Sequence, residues 1–354
     1  MFLTMGKFLG LLVFFGIMTA GKSHSAEPSV AFYYASNPPV NELKAFDIVV
    51  VDPDGGISPL SYGKEKSELF AYVSLGETHP DRGYAKKLRK SWVIGKNSDW
   101  GSMVMDPSNP AWRRFFVDEV IATLWNAGYR GFFFDTMDSY QLAVKSDRFP
   151  AMEAGITTLV RDIKKRFPEA RLVLNRGFEV IDGLRSEVFA VAAESIFSGY
   201  SPTKGYHEVG ADDRNWLLGR LNHVRNMGIP VIAIDYARPG MRKQARETAE
   251  KIRRLGFIPW VTDKDLSSLG VGSVEVVPRK ILALYDRREG SDPAYTKILR
   301  FASMPLNYLG YSVELRDMSL PFPDMILEGR YAGIVVWPFS EKSAGSGFGD
   351  WLSR

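Results

Sequence analysis

The chain has 354 residues, of which 45% are hydrophobic and 24% charged, and it contains no cysteine. This composition excludes a disordered chain, a disulfide framework and thiol catalysis. The formal net charge is +4. The basic clusters are interspersed with acids and lack alternating aromatic residues, so we expect no nucleic-acid partner.

The first 26 residues have the pattern of a secretory signal. Lys7 precedes the apolar run FLGLLVFFGIM, and the small residues of SHSA offer a cleavage site. The apolar run is shorter than the roughly 20 residues that a membrane-spanning helix needs. We therefore predict a signal peptide over residues 1–26 and a periplasmic or secreted mature protein that does not contact the membrane after cleavage. An uncleaved membrane anchor is the alternative.

Short runs of β-branched and aromatic residues recur from residue 30, each followed by a loop and a helical pattern. The runs are apolar on both faces, as parallel strands covered by helices require. This alternation predicts a (β/α)8 TIM barrel over residues 27–275. A doubly wound open sheet is the alternative, but the sequence lacks its Gly-rich dinucleotide fingerprint. The predicted strands are 30–36, 47–53, 69–77, 131–135, 171–176, 188–195, 230–236 and 257–263.

After Pro278 the alternation of strands and helices starts again. Segments 280–286, 311–315 and 331–338 are predicted strands, and segment 292–310 is a predicted helix. We interpret residues 276–354 as the start of a second α/β unit, a partial domain of the Rossmann or flavodoxin-like type.

Carboxylates stand at the ends of six predicted strands. A barrel has its active site where the C-terminal ends of its strands meet, so these groups are expected to converge on one mouth. Crowding of this kind raises the pKa of at least one carboxyl group. Glycosidic bonds are usually cleaved by a protonated acid that lies beside an ionised carboxylate. The strand-end residues are Asp52, Glu77, Asp135, Glu194, Asp235 and Asp263, with Asn175 ending the fifth strand.

Asp135 and Glu194 are the strongest catalytic candidates. Asp135 directly follows three phenylalanines, and Glu194 is embedded among small apolar residues that offer few local partners. An ionised carboxyl group in such surroundings is costly unless it is paired or neutralised. The structural alternative for Asp135 is a helix cap or the partner of an arginine. Asp138 is predicted to support Asp135 from the following loop.

Metal and cofactor chemistry are poorly supported by the sequence. After signal cleavage the only histidines are His79, His207 and His223, without the spacing of a zinc site. Neither a nucleophile elbow for serine catalysis nor a P-loop is present. We therefore predict no metal and no cofactor, and an oxygen-ligated hard cation is the alternative.

Several motifs resemble one family of sugar-cleaving enzymes. FYYAS, VVVDP, AYVSLGE, MDPSNPAWRRFF, GFFFDTMDS and AAESIFSGY occur in this order between residues 30 and about 265. Together they resemble the endo-α-1,4-polygalactosaminidase family of glycoside hydrolases. The resemblance implies that Asp135 is the nucleophile and Glu194 the acid/base of a retaining, endo-acting enzyme. It also implies a substrate of α-1,4-linked N-acetylgalactosamine or galactosamine polymer.

The remaining candidates are assigned to the substrate. Asp52 and Glu77 could bind substrate hydroxyl or amine groups or pair with rim arginines. Aromatic residues near the rim could stack on sugar rings or belong to the barrel core, and these are Tyr33, Tyr34, Tyr72, Tyr236 and Trp260. The predicted partner is thus a cationic or N-acetylated aminosugar polysaccharide, with an export-machinery protein as a further candidate. The alternative function is a non-catalytic barrel that binds polysaccharide or scaffolds an export assembly. The predicted substrate contacts are Tyr34, Asp52, Glu77, Asp138, Asn175, Asp235 and Tyr236.

Overall fold

The computed structural model describes residues 27–63, 66–289, 292–323, 325, 327, 329–337 and 347–352. The predicted signal peptide lies outside these residues. Among the residues described, no helix combines the length and the hydropathy needed to cross a membrane.

Eight parallel strands form a nearly closed barrel, as the sequence predicts. Each strand pairs with the next one along the chain, which is the neighbour order of a TIM barrel. The first and last strands meet where Tyr34 N–H donates to the carbonyl of Leu266 at 2.8 Å, and the short strand Val271–Gly272 pairs antiparallel to the last. The strands are β1 Val30–Tyr33, β2 Ile48–Val51, β3 Glu68–Ser74, β4 Gly131–Asp135, β5 Arg171–Asn175, β6 Ala190–Glu194, β7 Val231–Tyr236 and β8 Ile258–Thr262.

The helices that cover the barrel begin and end where local signals place them. Asn109 Oδ1 accepts the backbone N–H groups of Ala111 and Trp112, and Pro110 holds the first helical position. This helix contains a π-helical segment, Phe116–Ile121. The helices of the barrel are Val40–Leu43, Pro59–Tyr62, Pro110–Phe115 continuing into Ala122–Asn126, Phe149–Arg166, Ala211–Asn226 and Arg242–Arg254.

Small antiparallel sheets lie at the C-terminal end of the barrel. Glu77–Thr78, Val93–Asn97 and Ser102–Met105 form an antiparallel sheet after β3, and Ser198–Ser201 pairs with Gly205–Glu208 in a hairpin after β6. The third barrel strand therefore ends at Ser74, three residues before the predicted end at Glu77.

A separate parallel sheet follows the barrel. The strand Lys280–Tyr285 lies between Ser312–Asp317 and Gly333–Val336, and Ile298–Ala302 and Ser303–Tyr308 are its helical connection. Leu282, Leu284, Leu327 and Trp351, the last from the helix Phe348–Leu352, form a small core of their own. The assignment of residues 276–354 to a flavodoxin-like domain, and the boundaries at 26 and 275, stay predictions.

Gly155 marks a close approach between the helix that follows β4 and the loop that precedes the helix beginning at Pro110. A Cβ on Gly155 would lie 2.3 Å from the carbonyl oxygen of Pro107 and 2.7 Å from the amide nitrogen of Ser108. Since both atoms are backbone, neither can rotate away. The loop and the helix must separate if a methyl group is added.

We expect Gly155→Ala to lower the free energy of unfolding by about 1 to 3 kcal/mol, the usual cost of overpacking a core. Gly219→Ala is the matched control, because Gly219 is an exposed helical glycine with open space around its Cβ position. Helix propensity should make that control more stable by about 0.5 to 1 kcal/mol. Urea unfolding followed by circular dichroism measures both, and equal stabilisation by the two substitutions would contradict the close approach.

Candidate active site

Asp135, Asn175 and Glu194 end three adjacent strands and meet at the mouth of the barrel. Phe134 pairs with Leu174, so Asp135 and Asn175 end their strands at the same level. Asn175 pairs with Ala192, and Glu194 follows two residues later on the same face of β6. The strand register alone therefore brings the two predicted catalytic carboxylates to either side of one amide.

The side chain of Asn175 bridges the two carboxyl groups. Its Nδ2 donates to Asp135 Oδ1 at 2.8 Å and to Glu194 Oε1 at 3.4 Å. The two oxygens can therefore be no farther apart than the sum of 2.8 and 3.4 Å, about 6.2 Å. Two carboxyl groups of retaining glycosidases are typically about 5 to 5.5 Å apart, against about 6.5 to 9.5 Å in inverting enzymes.

Asp135 is held by donors on both of its oxygens. The hydroxyl of Tyr72 donates to Oδ2 at 2.8 Å, opposite the contact with Asn175. The next residue, Thr136, has a left-handed backbone with φ of 60°, and its Oγ1 contacts Ser74 Oγ at 2.7 Å and accepts Gly76 N–H at 3.1 Å. These contacts tie the end of β4 to the end of β3 and fix the direction of the Asp135 carboxylate.

The surroundings of Glu194 favour the protonated form of its carboxyl group. Burial raises the pKa of Glu194, and the charge of Asp135 raises it further. The Tyr236 hydroxyl donates to Oε2 at 2.5 Å and, with Arg176 and Asn175, opposes this rise. Arg176 also donates to the backbone carbonyl of Glu194 at 2.9 Å. The peptide bond between Glu194 and Ser195 is cis.

Three tyrosines surround the carboxyl pair, and two of them, Tyr72 and Tyr236, donate hydrogen bonds to it. Burial raises the pKa of Tyr34, Tyr72 and Tyr236 well above 10, and the neighbouring carboxylates add to the rise. These phenols therefore keep their protons at any physiological pH. The rings of Tyr34 and Tyr72 lie 5.0 Å apart, so Tyr34 joins the same cluster.

Asp52 lies behind this cluster and binds an arginine. Arg82 contacts both oxygens of Asp52, at 2.7 and 2.8 Å, and its Nη1 also donates to Asp54 at 2.8 Å. The guanidinium carbon lies 5.8 Å from the ring centre of Tyr72, the donor to Asp135. Asp52 is thus linked to the mouth through Arg82 and Tyr72.

The other strand-end acids are saturated by structural hydrogen bonds. Glu77 is buried and accepts from Asn97 Nδ2 at 3.0 Å, from Ser139 Oγ at 2.5 Å and from the Ser102 hydroxyl. Asp263 is also buried and accepts the backbone N–H groups of residues 265, 267 and 268. The structure does not bring these acids together with Asp135 and Glu194, so the crowding expected at the mouth reduces to one pair.

Asp235 has a comparable structural environment on the outer face of β7. Its side chain is 0% exposed, and its two oxygens accept the N–H groups of Ile196, Phe197 and Ser198 at 2.7 to 2.8 Å. Its neighbour Tyr236 faces the opposite side of the strand and contacts Glu194. Asp235 therefore orders the segment that leaves the acid rather than lining the mouth.

The remaining predicted residues divide between loop and core. Asp138 is partly buried and precedes the helical turn Ser139–Leu142. Trp260 and Tyr33 are buried at 0% and 3% exposure, so they belong to the barrel core. Nothing in the local sequence marks Arg82 as the rim arginine that binds Asp52 or marks Arg176 as a partner of Glu194, and Tyr72 is predicted there only as a rim aromatic. Among the residues that the structure describes, no cluster of potential ligands could hold a metal ion.

We expect Asp235→Asn to loosen the segment after Glu194. The new asparagine side chain keeps one acceptor oxygen and replaces the other with an NH₂ group that faces backbone N–H groups. This mismatch should lower the free energy of unfolding by about 2 to 4 kcal/mol. Amide hydrogen exchange of residues 196–198 should accelerate, because these N–H groups lose their acceptor. Asp99→Asn, on an exposed turn, is the control with little expected change. Unchanged exchange at 196–198 would contradict the anchoring role.

Comparisons with known proteins match most of the barrel. The sequence profile of glycoside-hydrolase family GH114 matches residues 18–282. The solved glycoside hydrolase domain of PelA from Pseudomonas aeruginosa is 39% identical, with a TM-score of 0.66 over 70% of this chain and 100% of that one. A variant of that domain with a glutamate-to-alanine substitution gives 38% identity, a TM-score of 0.65 and the same coverage.

A more distant structure is also similar. Ega3 from Aspergillus fumigatus, solved in complex with galactosamine, is 14% identical, with a TM-score of 0.49 over 67% of this chain and 91% of that one. Among curated protein sequences, none matches the chain significantly. The profile match covers well over half of the chain and includes both carboxylates of the mouth, and the chain therefore belongs to glycoside-hydrolase family GH114.

Proposed function

We propose that the protein is an endo-acting, retaining glycoside hydrolase with Asp135 as nucleophile and Glu194 as acid/base. The observation that carries this proposal is the bridge from Asn175 to both carboxyl groups, which limits the distance between two of their oxygens to about 6.2 Å. The bridge keeps the two carboxyl groups close together, as attack by one of them on the sugar held by the other requires in a retaining enzyme.

In the first step Asp135 attacks the anomeric carbon while the bond to the leaving oxygen breaks. Glu194 gives its proton to that oxygen, so the leaving sugar departs as a neutral alcohol. Because its pKa is raised, Glu194 still carries the proton that it donates. The donors Tyr72 and Asn175 hold the carboxylate of Asp135 in position for the attack. The product of this step is a glycosyl ester of Asp135.

In the second step Glu194 acts as a base. Once Asp135 is esterified, its negative charge no longer raises the pKa of Glu194, and the Tyr236 hydroxyl stabilises the ionised form. Glu194 then takes a proton from water, whose oxygen attacks the anomeric carbon and releases Asp135. The same neighbours thus favour the acid form before the ester forms and the base form afterwards.

The proposed substrate is an α-1,4-linked N-acetylgalactosamine or galactosamine exopolysaccharide. Support comes from the motifs that resemble the polygalactosaminidases and from the similarity to the PelA hydrolase domain. We propose a periplasmic or secreted location from the N-terminal pattern of Lys7 and the apolar run that follows it. A non-catalytic barrel that binds polysaccharide is the competing function.

Glu194→Gln should lower kcat on aminogalactan oligosaccharides by about 10²- to 10⁴-fold, the usual contribution of general acid–base catalysis. Release of reducing ends measures the rate, and mass spectrometry of the products shows whether cleavage is internal. Glu169→Gln is the matched control, because Glu169 lies exposed in the turn after the helix Phe149–Arg166. Full activity of Glu194→Gln would refute the assignment, and binding without turnover by the unaltered protein would favour the non-catalytic barrel.

Tyr236→Phe should move the alkaline limb of the kcat profile to higher pH. Glu194 must be protonated to act as acid, so kcat falls as pH rises through its pKa. Removing the Tyr236 hydroxyl takes away a hydrogen bond that favours the ionised form, and the pKa of Glu194 rises further. Tyr62→Phe is the control, since its hydroxyl pairs with Ser67 rather than with a carboxylate. A limb that stays in place or moves to lower pH would contradict this role.

A further inference from the structure

A two-stranded hairpin leaves β6 shortly after the acid and carries an exposed aromatic ring. Ser198–Ser201 pairs antiparallel with Gly205–Glu208, and Tyr200 lies opposite Tyr206. The first hairpin strand begins four residues after Glu194. Its N-terminal end is fixed by Asp235, which accepts the N–H groups of Phe197 and Ser198.

The hairpin lies against the ends of β7 and β8, on the same face of the barrel as the carboxyl pair. The hydroxyl of Tyr206 accepts Lys264 N–H at 3.0 Å, and Lys264 comes two residues after the end of β8. The guanidinium of Arg238, two residues after the end of β7, lies 5.9 Å from the Tyr206 ring. These contacts hold the hairpin at the ends of β7 and β8, and β7 is the neighbour of β6, the strand that ends at Glu194.

The ring of Tyr200 is fixed in place and still presents surface to solvent. Its centre lies 5.2 Å from that of Tyr206 in a T-shaped contact, and Lys264 Nζ lies 5.3 Å from it. The Lys264 amine is itself held by Asp265 at 2.6 Å. With 36% exposure, Tyr200 differs from the buried aromatics of the barrel, Tyr33 and Trp260. The hairpin thus exposes an aromatic surface whose position is fixed by neighbouring side chains. We name it the Tyr200 platform, and it consists of Tyr200, Tyr206 and Lys264.

We propose that the Tyr200 platform binds a hexosamine ring of the polysaccharide on the leaving-group side of the cleaved bond. The proposal rests on the proposed glycosidase function of Asp135 and Glu194. An acid catalyst contacts the leaving oxygen, so a sugar bound beyond Glu194, away from Asp135, belongs to the departing chain. The C–H face of a pyranose ring is apolar and packs on an aromatic face, while its hydroxyl groups stay in water. Tyr200 is then a specificity residue for polymer over single sugars.

The test compares two substrates in the Tyr200→Ala variant. On α-1,4-linked N-acetylgalactosamine oligosaccharides we expect kcat/KM to fall about tenfold through KM, as the loss of one aromatic contact predicts. N-acetyl-α-galactosaminyl fluoride has no departing sugar but still needs Glu194 as base for the second step, so its loss should be far smaller. Tyr200→Phe should retain oligosaccharide activity, and Tyr308→Ala, 91% exposed after the barrel, is the remote control.

Equal losses on both substrates would show that Tyr200 only supports the Glu194 segment, and no loss on oligosaccharides would remove the platform altogether. Calorimetric binding of the same oligosaccharides to Glu194→Gln, with and without Tyr200→Ala, separates the two proposals. Binding that weakens about tenfold without Tyr200, in a protein whose unaltered form shows no turnover, would overturn the glycosidase and keep the platform. Turnover by the unaltered protein, together with binding that does not depend on Tyr200, would keep the glycosidase and overturn the platform.

Discussion

A single neutral amide links the two carboxyl groups at the barrel mouth. Asn175 donates to Asp135 and Glu194 from one nitrogen, so two carboxyl groups that would repel each other as anions share a donor. A lysine at this position would stabilise the ionised form of Glu194 and lower its pKa. The amide carries no net charge, so burial and the charge of Asp135 still raise the pKa of Glu194. The bridge thus fixes the spacing without removing the difference between acid and base.

Most of the acidic rim serves the loops rather than the substrate. Strand-end loops in a barrel expose several backbone N–H groups at once, and each of these needs an acceptor. Asp235 and Asp263 each accept at least three such groups, and Glu77 accepts three side-chain donors. A carboxylate with its lone pairs occupied in this way has little capacity left for a sugar hydroxyl or amine. What separates the two proposed catalytic acids from the others is the number and kind of their donors.

The sequence predicts the barrel well because its signals are local. The β-branched runs, the Asn109 cap and the Pro110 start each involve neighbouring residues, and β4 and β7 end where the runs end. The roles of the acids depend on partners that are distant in the chain. Tyr72 meets Asp135 across 63 positions, and Ser139 meets Glu77 across 62. Such contacts leave no mark on sequence spacing, so six strand-end acids look alike until the fold separates them.

The sequence predicts the end of β3 three residues too late, and the difference has a specific physical origin. The run AYVSLGE is mostly apolar through Leu75, but a Cβ on Gly76 would lie 2.0 Å from the carbonyl oxygen of Thr136. The chain therefore passes so close to the end of β4 that only glycine fits, and it leaves the barrel before Glu77. The glycine that moves Glu77 out of the mouth is the same one whose N–H binds Thr136, next to Asp135.

Two consecutive residues of β7 control the same acid from opposite faces. Tyr236 points inward and binds the carboxyl group of Glu194, while Asp235 points outward and binds the backbone that follows Glu194. The side chain and the main chain of the acid are thus fixed by one rigid strand. Since a shift of about 1 Å at a reacting group can cost a hundredfold in rate, this double attachment suits the proposed role of Glu194 as proton donor better than a mobile loop would. The hairpin with Tyr200 extends from the same anchored segment, so the distance from acid to platform is set by the barrel itself.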